Sequence, residues 1–535
     1  MSPSIRGEST KASTKRRAEA ILNRDADKRS RTSKNEVDPS LSNTVLAGEQ
    51  STRPFRMNFA NGALRITRTR GRILDKNCIN LADVIDGEQL VSACIYAFFI
   101  AREELYDHLP LSHVSNAVPI YVGRDSNPNM DEMVGEAMTK AGFSTSDKVS
   151  KKQLETLRPI LQQMHHQRYG KNCHAFYAWA SGSAHSKILI LVYPTFLRLV
   201  ITSCNMMAVD TELNDNHWYI HDLPQSSGPG QSATSEFENG LLSHLEALGT
   251  PHEFINSIKG KYDYSAIRVH LVTSVPGVQS AAKAESHGLL RLRKVVKSFG
   301  LDLTRQKARD NLRIEICAAS IGNLSAKWLD GFFDCAIGST FLKVAHENCE
   351  VPRELKIFYP TTDDVVTTDG TSQPGAANIG CHTRPWLSAN KAVKDLFHHY
   401  HSKDTGRIFH QKLIMAYDYH DTDALPYYLY VGSANLSQSA WGALEKDSRG
   451  NKETSDLKLT KMSNFECGVV IPGNILQSLL EPESRRWHES IVPYDWTAEQ
   501  YDLSKDKPWN DPQWVQGFEE NWNRPRLPCR YLRLG

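Results

Sequence analysis

From about Pro54 onward, short apolar runs alternate with segments of helical or turn-rich character. Runs rich in aliphatic, β-branched and aromatic residues at Val118–Val122, Ile188–Val192, Leu197–Thr202, Val269–Val272, Leu312–Ile316, Leu413–Tyr417, Tyr427–Val431 and Cys467–Ile471 have the length and composition of strands. Ala93–Ala101 is a further apolar run, and helical patterns stand between many of these segments, which predicts an α/β architecture. The turn signal Ser274-Val275-Pro276-Gly277 after the Val269 run is the best candidate for a seam, giving a first half over 52–279 and a second over 280–535. The polar or Gly-rich stretches 363–380 and 446–461 are expected to be surface loops. From Trp487 on, Trp and Pro recur, which predicts an irregular wrapping segment with packed tryptophans.

Composition adds limits to this picture. A chain of 535 residues, 40% hydrophobic and 23% charged, is that of an ordinary globular protein and long enough for at least two domains. Its longest apolar stretch, Ile188–Ile201, is interrupted by Pro194 and Arg198 and is too short to span a bilayer, so no membrane role is expected. No apolar h-region follows the charged N-terminus, so an intracellular protein is expected. The ten cysteines occur singly, without a C-x-x-C pair, and are expected to be reduced and mostly buried rather than to form zinc knuckles or disulfides.

Residues 1–51 hold no aromatic residue and are rich in Ser, Thr, Lys and Arg, so they predict a disordered basic tail. Within it, Lys15-Arg16-Arg17 and Lys28-Arg29-Ser30-Arg31 have the spacing of a bipartite nuclear localisation signal, which points to the nucleus. A nonspecific nucleic-acid-binding tail, or a merely solvated one, has the same composition. The net charge of +2 means that any nucleic-acid surface on the rest of the chain must concentrate its positive charge locally.

The informative feature is a weak internal repeat. One copy reads His185-Ser186-Lys187, an apolar run, then Ser203-Cys204-Asn205; the other reads His410-Gln411-Lys412, an apolar run, then Gly432-Ser433-Ala434-Asn435. The His-to-Asn separations are 205 − 185 = 20 and 435 − 410 = 25, a difference that one longer turn absorbs. Residues two apart in a strand share a face, so each His and Lys point the same way, and a returning strand brings the Asn beside them. Paired, the copies offer two imidazoles, two ammonium groups and two amide donors, a set suited to a phosphodiester. One imidazole attacks phosphorus while the other protonates the leaving oxygen, and the lysines and asparagines donate to the equatorial oxygens. The lysines supply the charge that a metal supplies elsewhere, and no clustered carboxylates suggest a magnesium site, so no cofactor or metal is expected.

At these residues the sequence resembles the phospholipase D superfamily, whose motif runs His-x-Lys, four residues, Asp, then Gly-Ser-x-Asn. Val192 and Tyr417 stand at the Asp positions. That departure is similar to the tyrosyl-DNA phosphodiesterase family, and the likeness extends through Ser433-Ala434-Asn435-Leu436-Ser437, Ser439–Lys446 and Phe465-Glu466-Cys467-Gly468-Val469. The resemblance implies two similar α-β-α sandwich domains with mixed sheets related by a pseudo-twofold axis, each donating one motif to a shared site. It implies His185 as nucleophile, His410 as general acid and later base, and Lys187, Lys412, Asn205 and Asn435 as ligands of the phosphoryl oxygens. Glu466 matches an acidic residue that orients the nucleophile. Asn216 falls near the position of a second orienting residue, a Gln in animal members, with the neighbouring His217 as the other candidate. Ser320, Ser437 and Gln438 match segments that approach DNA, although each would equally cap a helix.

By the same resemblance the substrate is a DNA 3′ end, single- or double-stranded, carrying a covalent tyrosyl adduct such as a topoisomerase-derived peptide, and the protein is a monomer. A general phospholipase D-like phosphodiesterase and a catalytically silent DNA-binding module are the alternatives; the absent Asp residues weigh against the first and the intact His, Lys and Asn pairs against the second. His398-His399-Tyr400-His401 has metal-ligand residue types, but no Cys or carboxylate set accompanies it in the sequence, so it is read as a solvated helix end.

Overall fold

The computed structural model describes residues 56–510 apart from 70–75, 102–104, 115–116, 146–147, 227–234, 301–310, 341, 343–348, 368–372, 405–406, 448–456 and 483–485. The basic tail and the last tryptophans, Trp514 and Trp522, lie outside the described residues. Among those described, no helix is long and apolar enough to cross a membrane.

Two large mixed sheets organise the chain. The first holds eight strands: β1 (Ala63–Thr67), β2 (Cys78–Ile79), β3 (Ser92–Tyr96), β4 (Ile120–Asp125), β5 (Cys173–Ala178), β6 (Ile188–Val192), β7 (Phe196–Thr202) and β8 (His217–Pro224), in the order β2-β1-β8-β7-β6-β3-β4-β5. The chain continues through β9 (His270–Ser274), β10 (Gly277–Gln279), β11 (Leu312–Ala318), β12 (Ser320–Ile321), β13 (Leu355–Phe358), β14 (Gly380–Cys381), β15 (Phe397–His398), β16 (Lys412–Asp418), β17 (Tyr428–Gly432), β18 (Ala443–Lys446), β19 (Leu457–Met462) and β20 (Glu466–Pro472). Seven of these form the second large sheet, ordered β15-β13-β11-β16-β17-β20-β9, while β10-β19-β18 and β12-β14 form two small ones.

The sheets share one plan. In the first, β3 runs parallel to β4 and antiparallel to β6, and β6, β7 and β8 follow as antiparallel neighbours. In the second, β11 runs parallel to β13 and antiparallel to β16, and β16, β17 and β20 follow in the same way. Each repeat copy therefore occupies the central hairpin of its own sheet, β6-β7 or β16-β17. Every residue of β6 and β7 is buried, so these strands read as continuous apolar runs rather than as alternation.

Helices complete the layers. Glu132–Lys140 and Lys151–Tyr169 cover one face of the first sheet around Leu189, Leu191, Val134 and Leu161. The other face joins a larger core, shared with the helix Glu236–Leu248 and the second sheet, in which β7 and β8 pack against β17 and β20. The residues of the His-x-Lys repeat lie at that junction.

Three expectations change. Strand β9 pairs with β20, so the change of sheet falls before His270 rather than after Ser274. The described part of 363–380 is not a surface loop: it runs from within the helix Thr362–Thr367 to the start of β14, and Ala376 and Ile379 are buried. Lys446 ends β18 and Leu457–Lys461 lies in β19, so both ends of the second expected loop are strand. The segment from Trp487 does wrap the second half: Trp487, Tyr494 and Trp509 are buried, and bridges join Thr361 to Pro508 and His398 to Gln500.

Candidate active site

Each catalytic-type histidine sits just ahead of a central strand and is held by the other half of the molecule. The backbone N–H of His185 donates to Phe465 O and that of His410 to Asp215 O, each at 2.9 Å. Ala184 bridges Phe465, and Phe409 bridges Asp215. These are pseudo-twofold equivalents, because Phe465 and Asp215 each precede the residue that leads into the last strand of their half.

Both rings are oriented through Nδ1. His185 Nδ1 lies 2.9 Å from Glu466 Oε2, which also accepts from Ser433 Oγ at 2.6 Å, while Glu466 Oε1 accepts from Asn464 at 3.0 Å. His410 Nδ1 lies 3.0 Å from Asp210 Oδ2. A carboxylate only accepts, so Nδ1 of His185 carries the hydrogen, and the Lys412 ammonium at His410 Nε2 leaves the hydrogen of that ring on Nδ1; Nε2 presents its lone pair in both. Lys412 Nζ donates to His410 Nε2 at 3.0 Å. Among the described residues no hydrogen bond engages His185 Nε2. The two ring centroids are 6.4 Å apart, a spacing across which one phosphodiester can touch both.

The lysines follow the repeat as well. Lys187 Nζ donates to His185 O at 2.6 Å and Lys412 Nζ to His410 O at 2.5 Å, so each ammonium curls back beside its own histidine. Both are buried. Burial pushes the Lys187 ammonium down to about 7, and burial together with the Lys187 charge pushes Lys412 well below the usual lysine range. Burial and the adjoining lysine likewise push His185 and His410 down to about 4, against the opposing pull of Glu466 and Asp210. Burial raises Asp210 and Glu466, but their charged and hydrogen-bonding neighbours outweigh it and leave both below the ordinary carboxylate range. The site thus holds two ionised carboxylates behind the imidazoles and two buried lysines in front, a set that balances while the imidazoles are neutral.

The asparagines complete it. Asn205 Oδ1 accepts from Phe99 N at 3.3 Å and Asn435 Oδ1 from Ser320 N at 2.9 Å, which turns both amide NH2 groups the other way. Gly432 lets the second copy close: a Cβ there would stand 2.4 Å from Gly468 Cα, so β17 and β20 could not approach beside Ser433 and Glu466.

Asn216 departs from its expected role. It occupies the pseudo-twofold equivalent of Glu466, since Thr202 pairs with Trp218 as Gly432 pairs with Gly468. Its side chain is one methylene shorter than that of Glu466 and is used locally, accepting from Ser203 Oγ at 2.7 Å and donating to Asp210 O at 3.0 Å. His217 does not replace it, because His217 Nε2 bonds to Ile491 O. Asp210 takes the position instead, from a π-helical turn at Val209–Leu213 just after Asn205. Its Oδ2 accepts from Asn205 N at 2.9 Å and Asn205 Nδ2 at 2.8 Å, and its Oδ1 from Asn378 at 3.1 Å and Asn214 at 3.3 Å. Phe98 is a second residue that the motif did not reveal; its ring lies 5.1 Å from that of His185, with Lys187 Nζ 5.4 Å from its centroid.

The remaining candidates line one wall. Ile321 bridges Leu436, which places Ser320 next to Asn435, and Ser437 caps the short helix Gln438–Trp441 by accepting from Ala440 N. Gln438 Nε2 donates to Asn323 O at 3.3 Å. All three side chains are half-buried. The His398–His401 segment is not a helix end: β15 closes at His398, and Asp364 and Asp506 flank His399.

Comparison with known proteins agrees with this geometry. The family model described as tyrosyl-DNA phosphodiesterase matches residues 64–511. Tyrosyl-DNA phosphodiesterase 1 of Arabidopsis thaliana is 26% identical over 281 residues, 50% of this chain and 44% of that one. The Drosophila melanogaster protein of the same name is 26% identical over 307 residues, covering 54% and 49%. A probable tyrosyl-DNA phosphodiesterase of Schizosaccharomyces pombe is 27% identical over 285 residues, covering 50% and 48%, so the matched segment spans about half the length of these curated relatives. A crystal structure of the yeast tyrosyl-DNA phosphodiesterase superposes with a TM-score of 0.54 at 18% identity, covering 84% of this chain and 99% of that one, and has the same fold.

Proposed function

The chain belongs to the tyrosyl-DNA phosphodiesterase family, and from that premise we propose that it hydrolyses the bond between a DNA 3′ phosphate and a tyrosine through a covalent phosphohistidine. The observation that carries this reading is the inequality of the two Nε2 atoms. That of His185 is unengaged among the described residues, whereas that of His410 receives Lys412. His185 Nε2 attacks phosphorus, and His410 gives a proton to the departing tyrosine oxygen. Water then attacks the phosphohistidine, His410 takes its proton, and DNA leaves with a 3′ phosphate. In the empty site His410 holds its proton poorly; the incoming phosphodiester adds negative charge beside the two lysines and raises its proton affinity. Lys187, Lys412, Asn205 and Asn435 stabilise the equatorial oxygens. Ser320, Ser437 and Gln438 lie where the DNA backbone approaches, and the tyrosyl side takes a topoisomerase-derived peptide. The protein acts as a monomer in the nucleus, to which the basic clusters of residues 1–51 direct it.

The test sets a 3′-phosphotyrosyl oligonucleotide beside phosphatidylcholine, both with EDTA. Release of tyrosine with no lipid turnover is the expected result. Cleavage of the lipid alone points to a general phosphodiesterase, and strict dependence on added magnesium or zinc contradicts the mechanism.

A further inference from the structure

Away from the paired histidines, the fold collects a second group of ligand-type side chains from three separate segments. Asp364 comes from the helix Thr362–Thr367, His399 and His401 follow β15, and Asp506 lies in the C-terminal wrapping segment. His399 Nδ1 is 3.0 Å from Asp364 Oδ2 and 3.2 Å from its Oδ1. His401 Nε2 is 3.5 Å from the same Oδ1. The donor atoms of Asp364, His399 and His401 all fall within 4.8 Å of one another. The other nitrogen of His399, Nε2, is 3.0 Å from Asp506 Oδ2. Backbone groups fix both carboxylates: Asp364 Oδ2 accepts from Thr361 N and Asp506 Oδ2 from Asp502 N, each at 2.7 Å.

A neutral imidazole has one N–H, yet both nitrogens of His399 face carboxylates, which only accept. With Nε2–H donating to Asp506, the Nδ1 lone pair is turned toward Asp364, and a cation held between the two satisfies both. A carboxylate behind one nitrogen of a histidine whose other nitrogen converges with a second imidazole and a second carboxylate is the arrangement that orients metal-bound histidines. We propose that Asp364, His399 and His401 bind a divalent transition metal of the zinc class, with Asp506 as the positioning residue for His399. Nitrogen and oxygen ligands at about 2.0–2.2 Å in tetrahedral geometry stand about 3.4 Å apart, a spacing inside the 3.0 to 4.8 Å range of this group. The His401 side chain is 46% exposed, against 15% for Asp364 and 12% for His399, which gives the ion an entry path and a water position. The site shares no residue with the paired-histidine site and does not depend on the phosphodiesterase reading. Its effect is structural, clipping the wrapping segment to the β13-β15 edge of the second sheet.

The test uses the untagged full chain, stripped of metal and titrated with Zn2+ by calorimetry and with Co2+ by visible absorption. The expected result is one site, d–d bands of a nitrogen- and oxygen-ligated cobalt, and a higher melting temperature that EDTA reverses without changing turnover. His401→Ala, at a half-exposed position that the fold tolerates, should lose the binding and the bands. Asp506→Asn should weaken Zn2+ affinity about 10- to 100-fold. No binding to the wild-type chain, or equal binding to His401→Ala, overturns the proposal.

Discussion

Replacing Asp210 with Asn tests whether it orients His410. The substitution keeps the shape and removes one charge. Asp210 Oδ2 faces three donors, namely His410 Nδ1, Asn205 N and Asn205 Nδ2, whereas Oδ1 faces the amides of Asn378 and Asn214. The least costly fit keeps oxygen at the Oδ2 position and places the new NH2 toward the other two amides, which can rotate while a backbone N–H cannot. His410 then keeps its tautomer and loses the anion that stabilises its protonated form. Charge-assisted hydrogen bonds contribute about 1.5–3 kcal/mol, and two unit charges about 4 Å apart in a partly polar interior about 4 kcal/mol. The loss should slow reaction by roughly 10- to 10³-fold. Hydrolysis of the phosphohistidine should suffer most, because water requires a base whereas a tyrosine phenolate is already a fair leaving group. In single-turnover reactions with a labelled 3′-phosphotyrosyl oligonucleotide, DNA should accumulate covalently on Asp210→Asn in a denaturing gel. Asn216→Ala should stay within a few-fold of wild type, since its contacts are to Ser203 and to backbone carbonyls. A folded Asp210→Asn that turns over at the wild-type rate while Asn216→Ala traps DNA would refute the assignment.

The same gel distinguishes the histidines: His410→Asn should trap DNA and His185→Asn should not, and the reverse pattern exchanges their roles. Lys187→Ala and Lys412→Ala should each slow the chemical step by about 10²-fold or more, read from single-turnover rates of variants with unchanged melting temperatures. Asp222→Ala should cost about 3–5 kcal/mol by denaturant titration, because it strands the fully buried Arg198 guanidinium that Asp222 holds at 2.7 and 2.9 Å; a loss under about 1 kcal/mol contradicts this. Stability should fall as pH drops from about 6.5 toward 4, because burial holds His185 and His410 at about 4 and His244 at about 3, below the unfolded value. In that window the unfolded chain binds more protons, so acid favours unfolding, by on the order of 1 to 3 kcal/mol per histidine; a flat pH–stability profile there rules this out.

The strands that were legible in the sequence are those whose burial is apolar on both faces. β6 carries a continuous Ile, Leu and Val run, β7 one broken by the ion-paired Arg198, and β16, β17 and β20 are nearly as uniform. Strand β8 escaped because its apolar residues are mixed with the buried His217, His221 and Asp222; His217 bonds Ile491 O and Asp222 pairs with Arg198, distant partners that no local pattern reveals. The stretch 363–380 looked like a surface loop for a related reason. Its polar atoms are used inward, with Gly375 O accepting from Asn214 and Asn378 donating to Asp210. The metal-type ligands were also scattered: local reading saw His399 and His401 but could not bring Asp364 and Asp506 to them.

The site residues were legible where the repeat kept them and hidden where it broke. His, Lys, Ser and Asn recur in both copies, and the backbone contacts recur with them: each Lys donates to the carbonyl of its own histidine and each Asn oxygen accepts a backbone N–H. The anion behind each imidazole does not recur. Five residues after Asn205 stands Asp210, but five after Asn435 stands Ala440; at the start of β20 stands Glu466, but at the matching place before β8 stands Asn216. One half therefore supplies its carboxylate from the last strand and the other from a π-helical turn. Asp210 also binds the Asn205 amide, so a single carboxylate lies against both His410 and Asn205, whereas Glu466 holds His185 together with Ser433 and Asn464. The two-step mechanism proposed above needs this inequality. A nucleophile must present a fixed neutral lone pair, and an acid–base group must cycle through a positive charge, which an anion with several donors to hold it in place stabilises without taking up the proton.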